Sequence, residues 1–367
     1  MNYAKKPIYA DFLVTPICNF KCSFCSACAT EKNGKIKELN LQTIEKVFKD
    51  FDKLEMLRIS IEGGEPFLRD DIIEIIQMAD KCDFEYYVNT NGSMIDRNMA
   101  KRLGKTNIQQ ICISIDGPNA EIHDYCRGFK GSFDKVVSAI NYLHEQGIYV
   151  RPIITLTKLN LSYFYSTLNT IKKLGANSAT VMLLAIVGNA NSSNNLHIEY
   201  DEWSDFLYKL SIDKLEGNLP IDLKIVPTGE AKCPWELYLP LKDRNRLDLL
   251  DQWIPKNAVS PIVDDEFGCT AAKENFAIDG FGNVFGCSLM VSIKELAAGN
   301  IKENSIIDIW NNSNTFNNLR NLKLNQIEGN CKNCNLLNKC NGGCRACAYT
   351  ATGKIIGSDL RCPNTRR

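Results

Sequence analysis

The sequence has no excess of charge of either sign. Lysine and arginine together number 43, aspartate and glutamate also number 43, and the formal net charge is zero. Proteins that attract nucleic acid or an anionic membrane surface carry a basic excess, so we expect neither as a partner. Histidine is scarce as well, with 3 residues in a chain of 367, which leaves little imidazole for metal sites.

Long apolar runs are also missing. No stretch approaches the roughly 18 apolar residues of a membrane span, and residues 1–17 lack the apolar segment of a secretion signal. We therefore expect a cytoplasmic protein without a membrane partner. Cysteine, by contrast, is abundant, with 16 residues. Because cytosolic thiols stay reduced, metal ligation explains this number better than disulfides do.

From residue 8 to residue 187, short β-branched apolar runs alternate with longer amphipathic ones. The short runs predict strands at Ile8–Val14, Met56–Ile61, Phe84–Val88, Gln110–Ile115, Tyr149–Leu156 and Ala179–Ile186. Between them, helical spacing of apolar residues predicts helices at 41–51, 71–81, 96–103, 132–146 and 162–174, with Asn40 and Asp70 as N-caps. Such repeated units predict a parallel sheet. Six units fit either an open, partial (β/α)6 barrel of the TIM type, two units short of closure, or a doubly wound sheet.

The loops after the strands decide between these two folds. Barrel enzymes carry their chemistry on loops at the carboxyl ends of the strands. The unusual residues of this chain occur there, in Cys18–Cys25, Glu62–Pro66, Asn89–Gly92 and Asp116–Pro118. A doubly wound nucleotide fold would be expected to show Gly-x-Gly-x-x-Gly after its first strand, and this chain does not. The loops favour the partial barrel.

The loop after the first strand reads Cys18-x3-Cys22-x2-Cys25. Three thiolates can hold three corners of a [4Fe-4S] cube, and since a closed cube takes four ligands, one iron would stay open. The spacing, with Phe24 directly before the third cysteine, resembles the signature of the radical SAM enzymes. This resemblance implies a [4Fe-4S] cluster whose open iron chelates S-adenosylmethionine (SAM). A zinc loop is the alternative, but zinc clips usually combine C-x2-C pairs with a second pair or with histidines.

The later loops resemble the same family in the same order. Gly63-Gly64-Glu65-Pro66 is similar to the segment that binds the methionyl amino group of SAM, and Ser114-Ile115-Asp116-Gly117 to the one that holds its ribose and carboxylate. The resemblance implies contacts to SAM from Phe24, Gly63, Gly64, Glu65, Pro66, Asn91, Ser114, Asp116 and Arg127. The planar guanidinium of Arg127 suits a carboxylate, whereas His123 is expected to be structural. Each segment by itself is also typical of an ordinary turn.

A second group of cysteines begins at Cys269-x12-Gly282-x4-Cys287 and continues with Cys331-x2-Cys334-x5-Cys340-x3-Cys344 and Cys362. This pattern resembles the SPASM domain of radical SAM enzymes that act largely on peptides and proteins. It implies one auxiliary cluster on Cys331, Cys334, Cys340 and Cys362, and a second on Cys269, Cys287 and Cys344. The fourth position of the second cluster is open or belongs to Cys347 or Cys233, and proximity in sequence favours Cys347. Zinc is again the alternative for paired motifs.

The chain therefore divides into a predicted core barrel (1–190), a connecting region (191–265) and a SPASM-like auxiliary cluster domain (266–367). A hairpin that turns at Asp279-Gly280 is expected to carry Cys287. Among the remaining cysteines, Cys28 and Cys126 are expected to face the active rim, where a thiol can give a hydrogen atom to a substrate radical. Cys82 and Cys112 are expected to be packing residues.

The expected activity is reductive cleavage of SAM, followed by hydrogen abstraction from a ribosomally made peptide that is crosslinked, oxidised or epimerised. Radical chemistry on a small molecule (a tetrapyrrole, sugar or cofactor precursor) is one alternative, and a non-enzymatic iron-sulfur electron carrier is another. Ser288 stands where the similar sulfatase maturases have an aspartate base, which disfavours that reaction. Seven residues precede the first strand, so we expect a leader-binding partner protein or an exposed sheet edge to hold the peptide. A flavodoxin- or ferredoxin-type reductant is implied.

Overall fold

The structure, a computed structural model, describes residues 6–29, 37–192, 195–228, 234–254 and 265–365. Within these residues the strands are β1 (Tyr9–Thr15), β2 (Arg58–Gly63), β3 (Glu85–Thr90), β4 (Gln110–Ser114), β5 (Tyr149–Leu156), β6 (Ser178–Leu183), β7 (Asp222–Val226), β8 (Asn275–Ile278), β9 (Asn283–Phe285) and β10 (Gly299–Asn300).

The helices of the same residues lie between and after these strands. They are α1 (Leu41–Lys53), α2 (Ile72–Ala79), α3 (Arg97–Leu103), α4 (Ala120–Arg127), α5 (Ser132–His144), α6 (Phe164–Lys173), α7 (Tyr200–Leu215), α8 (Trp235–Asp243), α9 (Ile306–Asn312), α10 (Asn314–Arg320), α11 (Leu337–Cys340) and α12 (Arg345–Thr352). No described helix combines the length and the apolar character that crossing a bilayer requires.

The strands form one sheet in the order β10-β9-β8-β1-β2-β3-β4-β5-β6-β7. Neighbours from β1 to β7 are parallel, which confirms the predicted partial barrel. Strand β8 pairs in parallel with β1 and antiparallel with β9, so the predicted hairpin extends the barrel sheet. Strand β7 was not predicted and lies within the predicted connecting region. Its five residues carry too short a pattern to stand out.

One of the two predicted helix N-caps is present in the structure, and the other is not. The Asn40 side chain accepts a hydrogen bond from the Thr43 amide at 2.8 Å and caps α1 as predicted. The prediction that Asp70 caps α2 is wrong, because Asp71 occupies the N-cap and makes no side-chain cap bond. The Asp71 carboxylate is instead bound by Arg69, with Nε 2.8 Å from Oδ1. A competing ion pair thus replaces the cap.

One apolar core spans the barrel and the cysteine-rich part. The Phe12 ring of β1 meets the rings of Phe48 and Phe51 on α1, with centroids 5.9 and 6.2 Å apart. Phe276 of β8 contacts Phe51 at 5.9 Å and Trp310 of α9 at 6.0 Å. The aromatic layer therefore continues from one predicted domain into the next. The domain boundaries themselves stay a prediction.

We expect Phe12→Ala to destabilise the protein by about 3–5 kcal/mol, because a fully buried aromatic side chain is removed from a packed layer. The urea midpoint of unfolding, followed by circular dichroism, measures this. Tyr125→Ala is the control, since Tyr125 is 70% exposed and surface changes usually alter stability by less than about 0.5 kcal/mol. Equal effects of the two changes would contradict a shared core at Phe12.

Candidate functional site

A cavity of about 1380 Å³ lies inside the partial barrel. The three cysteines of the first loop line one part of it, and Cys269, Cys287 and Cys344 line another. The two groups line the cavity from different ends, because β1 leads at its carboxyl end into the first cysteine loop, whereas the antiparallel strand β9 returns the chain to the amino end of β1, where Cys287 follows. The sheet thus brings the first loop and part of the second cysteine group to one space.

The first cysteine loop is held by short-range hydrogen bonds. The Phe20 amide donates to the Cys18 sulfur at 3.4 Å, and the Cys25 amide donates to the Cys22 carbonyl at 3.3 Å. The Asn91 side-chain amide lies 3.9 Å from the Cys18 sulfur and also donates to Asn19 at 3.0 Å. Hydrogen bonds to cluster sulfurs are one of the means by which proteins adjust an iron-sulfur centre. The predicted cofactor contact Asn91 therefore lies beside the loop.

The chemistry of this loop fits a cationic cluster. Burial raises the pKa of Cys18 to about 12, and the neighbouring charges of Glu65, Cys22 and Cys25 contribute further. Burial also raises the pKa of Cys22. Three thiolates this close together repel one another unless a bound metal compensates their charge, and coordination keeps a thiol deprotonated. Three sulfurs on one short loop, deprotonated on coordination, therefore fit three corners of a [4Fe-4S] cluster.

Gly64 shows why the loop after β2 requires glycine. A Cβ atom at this position would lie 2.1 Å from the Ile17 carbonyl oxygen, so the two backbones can touch only without a side chain. The Gly64 amide donates to the Thr15 carbonyl at 2.8 Å. Both Gly63 and Gly64 line the cavity, so their predicted position beside a ligand is compatible with the structure.

Glu65 and Pro66 lie behind the wall rather than on it. The Glu65 carboxylate is fully buried and accepts hydrogen bonds from the Phe67 amide at 3.1 Å, the Thr90 hydroxyl at 2.7 Å and the Asn91 amide at 2.7 Å. Burial raises its pKa to about 7 against the effect of these bonds. Glu65 ties the loop after β2 to the loop after β3. The carboxylate therefore has a positioning role, and the contacts of Glu65 and Pro66 with SAM stay predictions.

A buried ion pair holds the fourth loop. Arg127 Nε lies 2.6 Å from Asp116 Oδ2, and the Thr155 amide donates to Asp116 Oδ1 at 2.7 Å. The guanidinium packs over the Phe24 ring at 5.2 Å, and its Nη1 lies 3.8 Å from the Cys22 sulfur. Although burial lowers the pKa of Arg127, Asp116 and Cys22 raise it more, so the side chain stays charged.

Of this group, Phe24, Ser114 and Arg127 line the cavity, whereas Asp116 does not. Asp116 is fully buried, and its carboxylate already faces Arg127 and Thr155. The carboxylate orients Arg127, and the contact of Asp116 with SAM stays a prediction. His123 accepts a hydrogen bond from the Asp116 amide at 3.1 Å, and burial lowers its pKa to about 3. The imidazole is therefore neutral and supports the loop.

The two thiols predicted to face the active rim do not line the cavity. Cys126 is buried against Phe24, Ala190 and Leu196. Cys28 is exposed and stands outside the cavity wall. Their role as hydrogen donors to a substrate stays a prediction.

Cys112, expected to be a packing residue, lines the cavity instead. Burial raises its pKa to about 11, which keeps it a thiol. It shares the inward face of β4 with Ser114, two residues away, and this period of two was the signal that could have identified it.

The middle of the cavity has an acidic wall that the motifs did not indicate. Tyr9 donates a short hydrogen bond to Asp11 and lies 2.9 Å, oxygen to oxygen, from Tyr87. Asn89 donates to Glu62 at 2.7 Å, and all of these side chains line the cavity. Burial and the charge of Asp11 raise the pKa of Glu62 to about 8. The two acids therefore sit close together on this wall.

The second cysteine group separates into the two predicted sets. Burial raises the pKa of Cys340 to about 11, with further contributions from Cys331 and Cys334. The pKa of Cys362 is raised by burial and then by neighbours that include Cys340 and Cys331. These mutual effects place the four thiols of the first set near one another, which is compatible with the cluster predicted for them.

Cys269, Cys287 and Cys344 form the other set. Burial and then Cys344 raise the pKa of Cys269 to about 11. The pKa of Cys287 is raised by burial and by the charges of Cys269 and Cys344. Cys347 is hydrogen-bonded to Cys344, which lowers the pKa of Cys344. Unlike the other three, Cys347 does not line the cavity. Its role as fourth ligand stays a prediction, and the other candidate, Cys233, lies outside the described residues.

Comparison with known proteins agrees with this geometry. The Radical SAM superfamily model matches residues 12–171, and the SPASM model, an iron-sulfur cluster-binding domain, matches residues 269–335. The fold and the cysteine sites thus define a SAM-dependent iron-sulfur protein. Residues 12–171 are thus a radical SAM domain, and residues 269–335 lie in a SPASM domain. These two domains imply a [4Fe-4S] cluster with SAM, and auxiliary iron-sulfur clusters.

Similar proteins have different activities. The AdoMet-dependent heme synthase of Oleidesulfovibrio alaskensis is 28% identical over 95% of this chain and 85% of its own length. The mycofactocin maturase MftC of Mycolicibacterium smegmatis is 24% identical over 97% and 82%. The structure of Streptococcus suis SuiB bound to its precursor peptide SuiA superposes with a TM-score of 0.76 at 16% identity, over 99% of this chain and 77% of SuiB. At that identity the likeness concerns the fold alone.

We expect Asp116→Asn to destabilise the protein by about 3 kcal/mol, because it leaves the buried Arg127 guanidinium without a counter-charge. The measurement is the urea midpoint. Glu145→Gln is the matched control, since it removes the carboxylate of an ion pair with Arg97 whose side chains are 42% and 57% exposed, and such pairs contribute less than about 1 kcal/mol. A loss for Asp116→Asn no larger than the control would refute the buried pair.

Proposed function

We propose that this protein cleaves SAM reductively and removes a hydrogen atom from a ribosomally made peptide held in the barrel cavity. When bound, the cluster and SAM at the first loop supply the 5′-deoxyadenosyl radical for that abstraction. Cys18, Cys22 and Cys25 are the proposed ligands of this cluster. The proposal places SAM between this loop and the wall formed by Gly63, Gly64, Ser114 and Arg127.

The protein's own contribution is orientation and shielding. Glu65 fixes two loops, and the Asp116–Arg127 pair keeps a charged guanidinium beside Cys22, where it can hold a carboxylate. The cavity encloses the reacting groups, and such enclosure limits side reactions with water. The auxiliary clusters proposed on the SPASM cysteines would act as electron acceptors or as anchors for the substrate. A flavodoxin- or ferredoxin-type protein is the proposed reductant, and the cytoplasm the proposed location.

The observation that favours a peptide is the opposite character of two cavity walls. Asp11 and Glu62 lie on β1 and β2, whereas Arg151 and Lys224 line the cavity from β5 and β7. An extended peptide offers both N–H donors and C=O acceptors along its length, so it can satisfy both walls. A macrocycle rich in carboxylates would find partners on the basic wall alone. The similar mycofactocin maturase also supports a peptide.

A tetrapyrrole is the second candidate substrate. Its support is the 28% identity with a heme synthase over nearly the whole chain, together with a Fe-coproporphyrin III synthase from Methanosarcina barkeri that is 24% identical over 99% of this chain. Arg151 and Lys224 would then bind the carboxylates. The electron-carrier alternative is not favoured, because it requires no SAM-binding loops.

We expect Cys22→Ala to abolish formation of 5′-deoxyadenosine from SAM, because a cluster ligand is lost. The assay is chromatography after anaerobic reconstitution with iron, sulfide and dithionite. Cys82→Ala is the control, since Cys82 lines the cavity just before β3, at the amino end of the strands and opposite the first cysteine loop, and its sulfur donates to the Met78 carbonyl. Wild-type SAM cleavage by the Cys22 variant would refute the assignment of the first loop.

The substrate class is tested by mass spectrometry of the reconstituted protein with SAM. The two probes are precursor peptides encoded beside this gene and Fe-coproporphyrin III. We expect a mass change in a peptide and none in the tetrapyrrole. We also expect Glu62→Gln to lower kcat/KM for the peptide roughly fivefold, since one hydrogen bond contributes about 1 kcal/mol. Conversion of the tetrapyrrole alone would replace the peptide proposal with the second candidate.

A further inference from the structure

The start of α8 enters the space between the two SPASM cysteine sets. Trp235 and Glu236 are the first residues of this helix, and both are buried. The Trp235 ring packs in a cluster with Cys362 and, at its edge, Cys340, which belong to the first set. A residue of the predicted connecting region therefore contacts the proposed ligands of an auxiliary cluster.

Asp359 connects this helix to the second cysteine set. Its Oδ2 accepts a hydrogen bond from the Trp235 indole at 3.4 Å and another from the Cys344 backbone amide at 3.1 Å. Asp359 is 1% exposed, so these bonds lie in the interior. The path from Cys362 through Trp235 and Asp359 to Cys344 thus consists of direct contacts.

Arg361 supplies one of two buried positive charges at this junction; the other is Arg345, which acts on Asp359 and Cys269. Arg361 Nε donates to Asp359 Oδ1 at 2.9 Å, and its Nη1 lies 3.3 Å from Glu236 Oε1. The guanidinium also faces the Trp235 ring at 5.7 Å and acts electrostatically on Cys344. Arg361 is 7% exposed. In such a weakly screened position a single charge acts strongly on its neighbours.

Charge and hydrogen bonding around an iron-sulfur cluster set its reduction potential. A positive charge nearby stabilises the reduced, more negative cluster, and a negative charge destabilises it. We propose that Arg361 and Asp359, joined by Trp235, set the potential of the auxiliary cluster on Cys269, Cys287 and Cys344. They act as positioning residues, and the inference depends on the auxiliary clusters of the proposed function.

The test is a redox titration of the reconstituted full chain, followed by electron paramagnetic resonance. A background with Cys18, Cys22 and Cys25 all changed to Ala leaves the auxiliary clusters as the signals. We expect Arg361→Gln to shift one midpoint potential to a more negative value and Asp359→Asn to shift the same one to a more positive value. A purely structural role does not predict opposite signs. Lys354→Gln, which alters an exposed pair of the same domain with Glu328, is the control and should shift neither.

Trp235→Phe keeps the test decisive if the buried charge variants fail to fold. This change keeps an aromatic ring but removes the indole N–H that donates to Asp359. The negative charge of Asp359 is then less compensated, so we expect full iron content and a more negative reduction potential. An unchanged potential in this variant, or shifts of equal sign in the two charge variants, would overturn the proposal. Failure of the proposed function has a different signature, because wild-type protein would then form no 5′-deoxyadenosine from SAM.

Discussion

Strand β1 is the constraint on which the site depends. It is almost fully buried and pairs in parallel with β2 on one side and with β8 on the other. Its carboxyl end leads to the first cysteine loop, and the β8–β9 hairpin leads to Cys287. Because β9 runs antiparallel to β8, Cys287 lies near the amino end of β1, so this double pairing sets the proposed radical centre and an auxiliary site at opposite ends of β1, and both line one cavity. It also makes the aromatic core continuous across Phe51 and Phe276.

Two buried carboxylates organise the loops above that strand. Glu65 accepts hydrogen bonds from the segment after β2 and from the end of β3. Asp116 orients Arg127 toward Cys22. Neither touches the cavity, so a motif residue here acts through its neighbours. The resemblance located the right segments but did not separate residues on the wall from those behind it. That distinction depends on whether the carboxylate oxygens already accept hydrogen bonds or ion pairs from other residues of the protein.

The secondary structure of the barrel was largely predictable, because amphipathic helices and short apolar strands have different periods. Strand β7 was missed, since its five residues carry little pattern and it is recognisable as a strand through its pairing with β6. The error at Asp70 has a similar origin, because Arg69 binds the carboxylate at the true N-cap. Cys112 and Asp11 lie on strands that were predicted. A period of two shows which residues share a face of a strand, but which face points into the barrel follows from the curvature of the sheet.

The sequence by itself determined the chemistry of the cysteine loops. Ligands within a few residues of one another are brought together by the covalent chain, so the motif Cys18-x3-Cys22-x2-Cys25 can be recognised without the tertiary structure. The tertiary structure decided which distant groups share a space. Trp235 and Asp359 meet across 124 positions, and Asp11 reaches the neighbourhood of Cys287 through the pairing of β1 with β8. Such contacts have no local signature, because they result from packing and strand order.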